Sequence, residues 1–169
     1  MNVILTSDIM SPDKRQLNSQ NGFVDKIHEY VEDIYCLYVP SDPHTPLLTN
    51  TISSHYKRAF EKSGFTVKDW EVLSIYKKSI IQQLISKSNL IILAGGHVPT
   101  QNKFFHHIHL QKYIKNYNGL VIGISAGSMN SAEEVYAQPE NFGEVKSTHY
   151  RRFLKGLGIV DISVLPHYK

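Results

Sequence analysis

Apolar and polar residues alternate along the chain in blocks that predict strands and helices in turn. Four short apolar runs, at residues 2–6, 34–39, 89–94 and 120–124, have the length and the β-branched content of buried strands. A fifth stretch, residues 65–73, alternates apolar and polar residues, which also predicts a strand. Between them, apolar residues recur at helical spacing in the stretches 23–31, 51–62, 75–85 and 100–117. The alternation indicates α/β architecture, with a mostly parallel sheet between two layers of helices.

The last of these apolar runs leads directly into a serine flanked by glycines. Residues 120–124 precede Ser125, and Gly123 and Gly127 complete the spacing G-x-S-x-G. This spacing is typical of a nucleophile elbow, in which a serine occupies a strained turn between a strand and a helix. Glycine is favoured at the flanking positions because side chains there would collide with the neighbouring strand and helix. The pattern predicts an exposed, nucleophilic Ser125, although such a turn can also use its glycines for packing alone.

A second apolar run also ends in glycines. Residues 89–94 precede Gly95 and Gly96, and we expect this strand to lie close to the one before Ser125. Ligands of open α/β sheets bind at the carboxyl ends of the strands. A serine hydrolase needs two N–H donors for its oxyanion, and we assign them to Ala126 and to either Gly95 or Gly96. The alternative is that the two glycines only form a tight turn.

Catalysis by Ser125 also requires a base and an orienting carboxylate, normally in the chain order Ser, Asp/Glu, His. Two histidines follow Ser125: His149 lies among basic residues, whereas His167 follows a proline at the end of an apolar run. We therefore predict His167 as the base. Glu140, in a loop after a proline, is the candidate carboxylate. Spacing alone leaves four competitors, Glu133, Glu134, Glu144 and Asp161.

Composition narrows the class of protein. The chain has 169 residues, 41% of them hydrophobic, which fits a single domain over 1–169. Its formal charge of +3 is spread along the chain, so nucleic acid is not an expected partner. The single Cys36 lies in an apolar run, which excludes a disulfide framework. No carboxylate joins His106, His107 and His109, so we expect neither a metal nor a cofactor.

Targeting signals are not evident in the sequence. The N-terminal residues lack the basic and long apolar segments of a signal peptide, and no apolar run is long enough for a membrane span. We therefore expect a cytoplasmic protein whose partner is a small peptide rather than a nucleic acid or a membrane. A homodimer remains open.

Three linked motifs, Ala94-Gly-Gly-His97, Gly123-Ile-Ser-Ala-Gly127 and Leu165-Pro-His-Tyr168, resemble the dipeptidase E and cyanophycinase family of serine peptidases. The resemblance implies a class I glutamine amidotransferase-like (flavodoxin-like) fold. It also implies hydrolysis of short peptides, with a preference for peptides that contain an acidic residue. It assigns the nucleophile to Ser125 and the base to His167. The acidic member is then Glu140, where dipeptidase E has Asp.

The chain departs from the family pattern at two places. His97 stands where the family often has Asn, and the sequence ends two residues after His167, where relatives continue. The expectation is a hydrolytic domain that lacks C-terminal elements and has weak activity. The alternative function is a non-catalytic binding domain of the same fold. A true glutamine amidotransferase is disfavoured because it would need a cysteine at the elbow.

Overall fold

The strands and helices follow one another largely as the hydrophobic pattern predicts. A computed structural model describes residues 1–140, 142–147 and 149–166. The strands in this part of the chain are β1 (Asn2–Thr6), β2 (Asp33–Val39), β3 (Thr66–Val72), β4 (Leu90–Leu93), β5 (Leu120–Ile124), β6 (Glu134–Tyr136) and β7 (Phe153–Lys155). The α-helices are α1 (Phe23–His28), α2 (Pro46–Lys62), α3 (Ile81–Lys87), α4 (Val98–His107), α5 (Leu110–Ile114) and α6 (Ala126–Asn130). Short 3₁₀ segments cover Gln20–Gly22, Ile75–Ile80 and Glu144–Lys146.

Five parallel strands form the central sheet in the order β1-β5-β4-β2-β3. In the register of this sheet, Gly123 of β5 lies opposite Leu93 of β4, and Ile124 lies opposite Thr6 of β1. The expectation that β4 and β5 lie close together is therefore confirmed. Their carboxyl ends meet at one edge of the sheet, so the loop after Leu93 lies beside Ser125.

Helices cover both faces of this sheet. Even-numbered residues such as Ile92 and Ile122 face a core that includes Ile27 of α1 and Phe60 of α2. The alternate residues, such as Val121, face a second core formed with α3, α4 and α5. Residues on both faces of a parallel sheet are removed from water in this way, which explains the continuous apolar runs. The expected three-layer α/β/α fold is confirmed.

The helix boundaries differ from the hydrophobic pattern in three places. The single helix expected over 100–117 is two helices, because His109 adopts a left-handed conformation with φ of 54° between α4 and α5. The helix expected over 51–62 begins earlier, at Pro46, because a proline is well suited to the first turn. The stretch 75–85 starts as a 3₁₀ segment before α3. No helix in the described residues combines the length and the apolar character needed to cross a membrane.

The inner face of α2 is more polar than its apolar residues suggest. The helical spacing of the apolar residues in 51–62 predicts that Ile52 faces the core, but Ile52 is 38% exposed, whereas Ser53 is buried. Ser53 Oγ accepts a hydrogen bond of 2.7 Å from Trp70 Nε1. The helix is therefore rotated so that the indole of β3 finds a polar partner, since a buried N–H without one is costly.

A small antiparallel pair, β6 with β7, follows the main sheet. Three residues per strand are too few for a periodic signal, which is why the sequence pattern does not predict them. The rings of Tyr136 and Phe153 lie 5.7 Å apart across the pair, and Ala137 N–H donates to Arg152 O at 2.7 Å. These contacts close the base of the loop that carries Glu140.

Phe60 makes the most informative core variant on the α2 side of the sheet. Its side chain is fully buried, and its ring lies 5.4 Å from that of Phe65 and 5.7 Å from that of Trp70. Phe60→Ala should lower the free energy of unfolding by about 3–5 kcal/mol, measured by urea denaturation. Tyr76→Ala, at an aromatic that is 89% exposed, should change it by less than about 0.5 kcal/mol. Equal losses in the two variants would contradict the assigned core.

Candidate active site

Ser125 occupies a strained backbone conformation at the carboxyl end of β5. Its φ is 48° and its ψ is −108°, and such values cost about 1–3 kcal/mol in a residue other than glycine. Residues 120–124 before it and 126–130 after it are buried, whereas Ser125 itself is exposed. Its N–H donates to Thr6 O at 2.8 Å, and its C=O accepts from Met129 N–H at 3.1 Å. Both neighbours therefore hold the costly conformation in place.

The glycines around this turn are required by close backbone packing. A Cβ added to Gly123 would lie 2.9 Å from Ser128 N and Cα, and one added to Gly127 would lie 2.2 Å from Leu93 O. The atoms they would meet are backbone atoms of the sheet and of α6, which cannot move aside cheaply. The collisions expected from the G-x-S-x-G spacing are thus present.

Ser128 connects the turn to the edge strand β1. Its Oγ accepts a hydrogen bond of 3.0 Å from Thr6 N–H. The same oxygen lies 2.8 Å from Thr6 O and 2.7 Å from Gly123 O, to which its hydroxyl can donate. Ser128 is 3% exposed. Its hydroxyl therefore connects the backbones of β1 and β5 beneath the turn.

Gly95 lies next to Ser125, as predicted for neighbouring strand ends, and Gly96 lies against Ser41. An ideal Cβ on Gly95 would be 3.5 Å from Ser125 Cβ. Gly96 has a φ of +148°, and a Cβ there would lie 2.2 Å from Ser41 Oγ. Among the described residues, the N–H groups of Gly95, Gly96 and Ala126 have no protein acceptor. The assignment of Ala126 and of Gly95 or Gly96 as oxyanion donors therefore stays a prediction.

His97 and Glu144 form a polar contact that joins α4 to the loop after β6. His97 Nε2 lies 2.9 Å from Glu144 Oε1, and its Nδ1 lies 2.8 Å from Thr100 Oγ1. The Glu144 side chain is 14% exposed, and its second oxygen accepts from Glu140 N–H at 3.0 Å. A carboxylate this deeply buried needs such partners. The contact fixes the Glu140 backbone relative to the start of α4.

Of the two partners predicted for Ser125, only the carboxylate lies within the described residues. Glu140 has an exposed side chain on the loop between β6 and β7. His167 lies outside the described residues. The competing acidic residues Glu133, Glu134 and Asp161 are exposed, while Glu144 contacts His97.

A cleft of about 150 Å³ lies beside the His97–Glu144 contact. Lys103, His149 and Arg151 are among its lining residues. His149, the alternative base candidate of the sequence, is an exposed residue of this cleft. The cleft carries more cationic than anionic side chains, which favours an anionic ligand.

Cys36 lies in the middle of β2, away from the Ser125 turn. It is 2% exposed and pairs with Leu90 and Trp70 on either side. Burial, with the Asp69 charge as a smaller cause, raises the pKa of the Cys36 thiol well above its ordinary value. A nucleophilic cysteine needs an accessible thiol of low pKa, so this residue is a core side chain.

Three buried amides connect α4, α6 and the end of β4. Gln101 and Asn130 are fully buried and Asn102 is 6% exposed. Asn102 Nδ2 donates to Asn130 Oδ1 at 2.9 Å, Asn130 Nδ2 donates to Gln101 Oε1 at 3.0 Å, and Gln101 Nε2 donates to Ala94 O at 2.6 Å. One feature of the sequence indicates that these amides are buried. Gln101 and Asn102 lie on the apolar side of α4, at helical spacing from Val98 and Phe105.

His106 and His109 have structural roles at the end of α4 and before α5. His106 Nε2 lies 2.7 Å from Lys155 O, and His109 forms the break between α4 and α5. Within the described ranges, no group of three or more His, Cys, Asp and Glu side chains is placed to hold a metal ion.

The fold and the site together define an α/β protein with an exposed serine on a strained strand-to-helix turn. The family model for peptidase family S51 matches residues 4–169. The chain therefore belongs to this family, that of dipeptidase E and cyanophycinase, and is a serine peptidase of the dipeptidase E type. The resemblance stated from the three motifs is confirmed.

The fold is also similar to a solved structure, the 1.5 Å crystal structure of a candidate peptidase E protein from Listeria monocytogenes EGD-e. The two chains are 23% identical, with a TM-score of 0.67, and the match covers 99% of this chain and 79% of that one. At this identity the likeness shows the shared fold. No curated protein matches the sequence significantly.

Gly127 tests whether close packing fixes the turn. Gly127→Ala should lower the free energy of unfolding by about 2 kcal/mol or more, because the new methyl group meets the Leu93 carbonyl. Gly95→Ala is the matched control, since its Cβ would make only ordinary contacts of 3.5 Å, and it should cost less than about 1 kcal/mol. Thermal unfolding followed by circular dichroism measures both. Similar stabilities would show that the turn tolerates a larger separation from β4.

Proposed function

We propose that the chain hydrolyses short peptides through a triad of Ser125, His167 and Glu140. Ser125 is the nucleophile, His167 the general base and Glu140 the carboxylate that orients the imidazole. The N–H groups of Ala126 and of Gly95 or Gly96 form the oxyanion hole. The turn at Ser125 is then a nucleophile elbow.

The observation that carries this proposal is the backbone of Ser125. A φ of 48° with a ψ of −108° is an unfavourable backbone conformation for serine. The residue that adopts it is exposed, so burial of its own side chain does not compensate for the strain. Strain of this kind is concentrated at functional sites. A serine that served only packing would gain nothing from such a conformation, whereas an elbow presents Oγ to a substrate above the sheet.

The chemistry assigned to these residues proceeds in two stages. Ser125 Oγ attacks the peptide carbonyl carbon while His167 takes its proton, and the resulting oxyanion accepts hydrogen bonds from the backbone donors. His167 then gives the proton to the leaving amine, and an acyl-enzyme remains. In the second stage water attacks the ester, His167 accepts the water proton, and Ser125 regains its hydroxyl as the acid product leaves.

The loop contacts support Glu140 as the third member. Its backbone is held by the Glu144 carboxylate, which also contacts His97 at the start of α4. Glu140 is therefore anchored to the helix that follows the Gly95-Gly96 loop while its own carboxylate stays exposed.

Peptides with an acidic residue are the proposed substrates. The family resemblance suggests this class, and we assign the acidic side chain to the cleft beside the His97–Glu144 contact, whose lining includes Lys103 and Arg151. Cationic side chains attract a carboxylate, and an uncharged amide of the same shape lacks that attraction.

The role of Ser125 is tested by covalent labelling and turnover. A fluorophosphonate should label the wild-type protein once, and Ser125→Ala should abolish labelling and lower hydrolysis of an aspartyl dipeptide by at least about 10³-fold. Ser54→Ala, at an exposed serine of α2, is the matched control and should retain both activities. Intact-protein mass spectrometry and amine release measure the two effects.

Labelling that persists in Ser125→Ala would overturn the assignment.

The preference for an acidic residue is tested with a second substrate. The wild-type protein should hydrolyse the matching asparaginyl dipeptide with a kcat/KM about 10-fold or more below that for the aspartyl dipeptide, because one charge-assisted hydrogen bond is lost. Equal rates on the two peptides would refute the acidic preference while leaving the nucleophile intact.

The triad partners are tested by paired substitutions. His167→Ala should lower kcat by about 10³-fold or more, and Glu140→Gln by about 10²-fold or more, because each removes a part of the proton-transfer unit. His149→Ala and Glu134→Gln are the controls at the competing positions and should change kcat by less than about threefold. Steady-state kinetics separate these cases. A large loss in either control, with little loss in its partner, would move the role to the control residue.

A further inference from the structure

The peptide between Ala94 and Gly95 joins the end of β4 to the proposed oxyanion hole. Its carbonyl belongs to Ala94 and its N–H to Gly95, and in a planar trans peptide these two groups point in opposite directions. Fixing the carbonyl therefore fixes the direction of the N–H. Gly95 is also in contact distance of Ser125, since its ideal Cβ would be 3.5 Å from Ser125 Cβ.

Gln101 fixes that carbonyl through a hydrogen bond from its side chain. Its Nε2 donates to Ala94 O at 2.6 Å, and its side chain is fully buried. The N–H of Ala94 donates to Val39 O at 2.9 Å. The Ala94 backbone is thus held by β2 on one side and by α4 on the other.

The orientation of the Gln101 amide is itself determined by its neighbours. Asn130 Nδ2 donates to Gln101 Oε1 at 3.0 Å and to Val98 O at 3.2 Å. Asn102 Nδ2 donates to Asn130 Oδ1 and to Lys155 O, each at 2.9 Å. Backbone carbonyls only accept, so each amino group must face the way it does and no amide can be flipped without losing bonds. The three amides form a one-directional chain that ends on Ala94.

We propose that Gln101 is a positioning residue that aims the Gly95 N–H at the oxyanion formed on Ser125. This inference rests on the proposed function and names Gly95, rather than Gly96, as the second donor. The amide chain also connects the two sides of the hole, because Asn130 belongs to α6, the helix that begins at Ala126. Packing alone would be served as well by an apolar side chain, whereas the direction of a peptide N–H depends on the hydrogen bond to its own carbonyl.

Two substitutions separate positioning from packing. Gln101→Met keeps the length of the side chain but cannot donate to Ala94 O, so kcat should fall by about 10–100-fold with KM within about twofold. Phe104→Leu, which alters a buried residue of the same helix that lies in the core facing α3 and α5, is the control for general destabilisation. It should leave kcat within about twofold.

Gln101→Glu supplies a pH signature that a structural role would not produce. When protonated, the introduced carboxyl can donate to Ala94 O and accept from Asn130, but when ionised it cannot donate. Burial favours the neutral form of a carboxyl. The ratio of variant to wild-type kcat should therefore rise towards 1 as the pH falls and decline as the pH rises through the pKa of that carboxyl. A ratio that does not change with pH contradicts the proposal.

A measurement on the resting protein makes the test independent of turnover. The backbone amide signal of Gly95 in ¹⁵N NMR spectra responds to the hydrogen bond on the preceding carbonyl. It should shift in Gln101→Met and titrate in Gln101→Glu, and stay in place in Phe104→Leu. An unmoved Gly95 signal overturns the positioning role. If Gly95 shifts while Ser125-dependent hydrolysis and labelling are unchanged, Gly95 is not the oxyanion donor, and the serine mechanism still stands.

A different result would show that the proposed serine mechanism itself is wrong. Hydrolysis and labelling that persist in Ser125→Ala would remove the nucleophile, whatever the behaviour of Gly95, and the role in an oxyanion hole would fail with it. A kcat loss in Gln101→Met that is matched by Phe104→Leu would assign the effect to stability and also overturn the proposal.

Discussion

The close approach of the Gly127 backbone to β4 is the constraint on which the rest of the site depends. A single added methyl group at Gly127 would lie 2.2 Å from Leu93 O. The first turn of α6 can therefore pack against β4 only if residue 127 has no side chain. To enter that helix directly from β5, the chain must turn sharply at Ser125, with φ of 48°. The strain of about 1–3 kcal/mol is comparable to what burying one aliphatic side chain contributes. Fully buried Ile91, Ile92 and Leu93 on β4 alone therefore offset it.

Polar contacts, rather than additional apolar ones, set the orientation of the elements around this turn. The Ser128 hydroxyl bridges β1 to β5, and the amides of Gln101, Asn102 and Asn130 connect α4 to α6. Apolar packing tolerates small rotations of a helix, but a buried amide that loses its partner costs about 1–3 kcal/mol. The directional bonds therefore limit how far α4 can move relative to Ser125. His97 and Glu144 extend the same principle to the loop after β6.

The sequence predicts the parts of the fold that depend on local pattern. The five strands of the sheet, the pairing of β4 with β5 and the exposure of Ser125 follow from apolar runs and from glycine spacing. The break at His109 does not follow, because a left-handed histidine leaves no periodic trace. β6 and β7 are too short for a pattern. Gln101 and Glu144 become informative only when residues 7 and 47 positions away in sequence, Ala94 and His97, are brought beside them. Glu140 and His167 remain predictions, supported by motif and by kinship.

We propose Ser125 as a nucleophile whose oxyanion is held by the backbone N–H groups of Ala126 and Gly95. A crystal structure of the protein after reaction with a fluorophosphonate tests it most directly, because the phosphonyl oxygen stands in for the oxyanion of the tetrahedral intermediate. We expect phosphorus bonded to Ser125 Oγ, with the phosphonyl oxygen about 2.7–3.1 Å from the backbone nitrogens of Ala126 and Gly95. An adduct on another residue, or a phosphonyl oxygen directed away from Gly95 and Ala126, would contradict it.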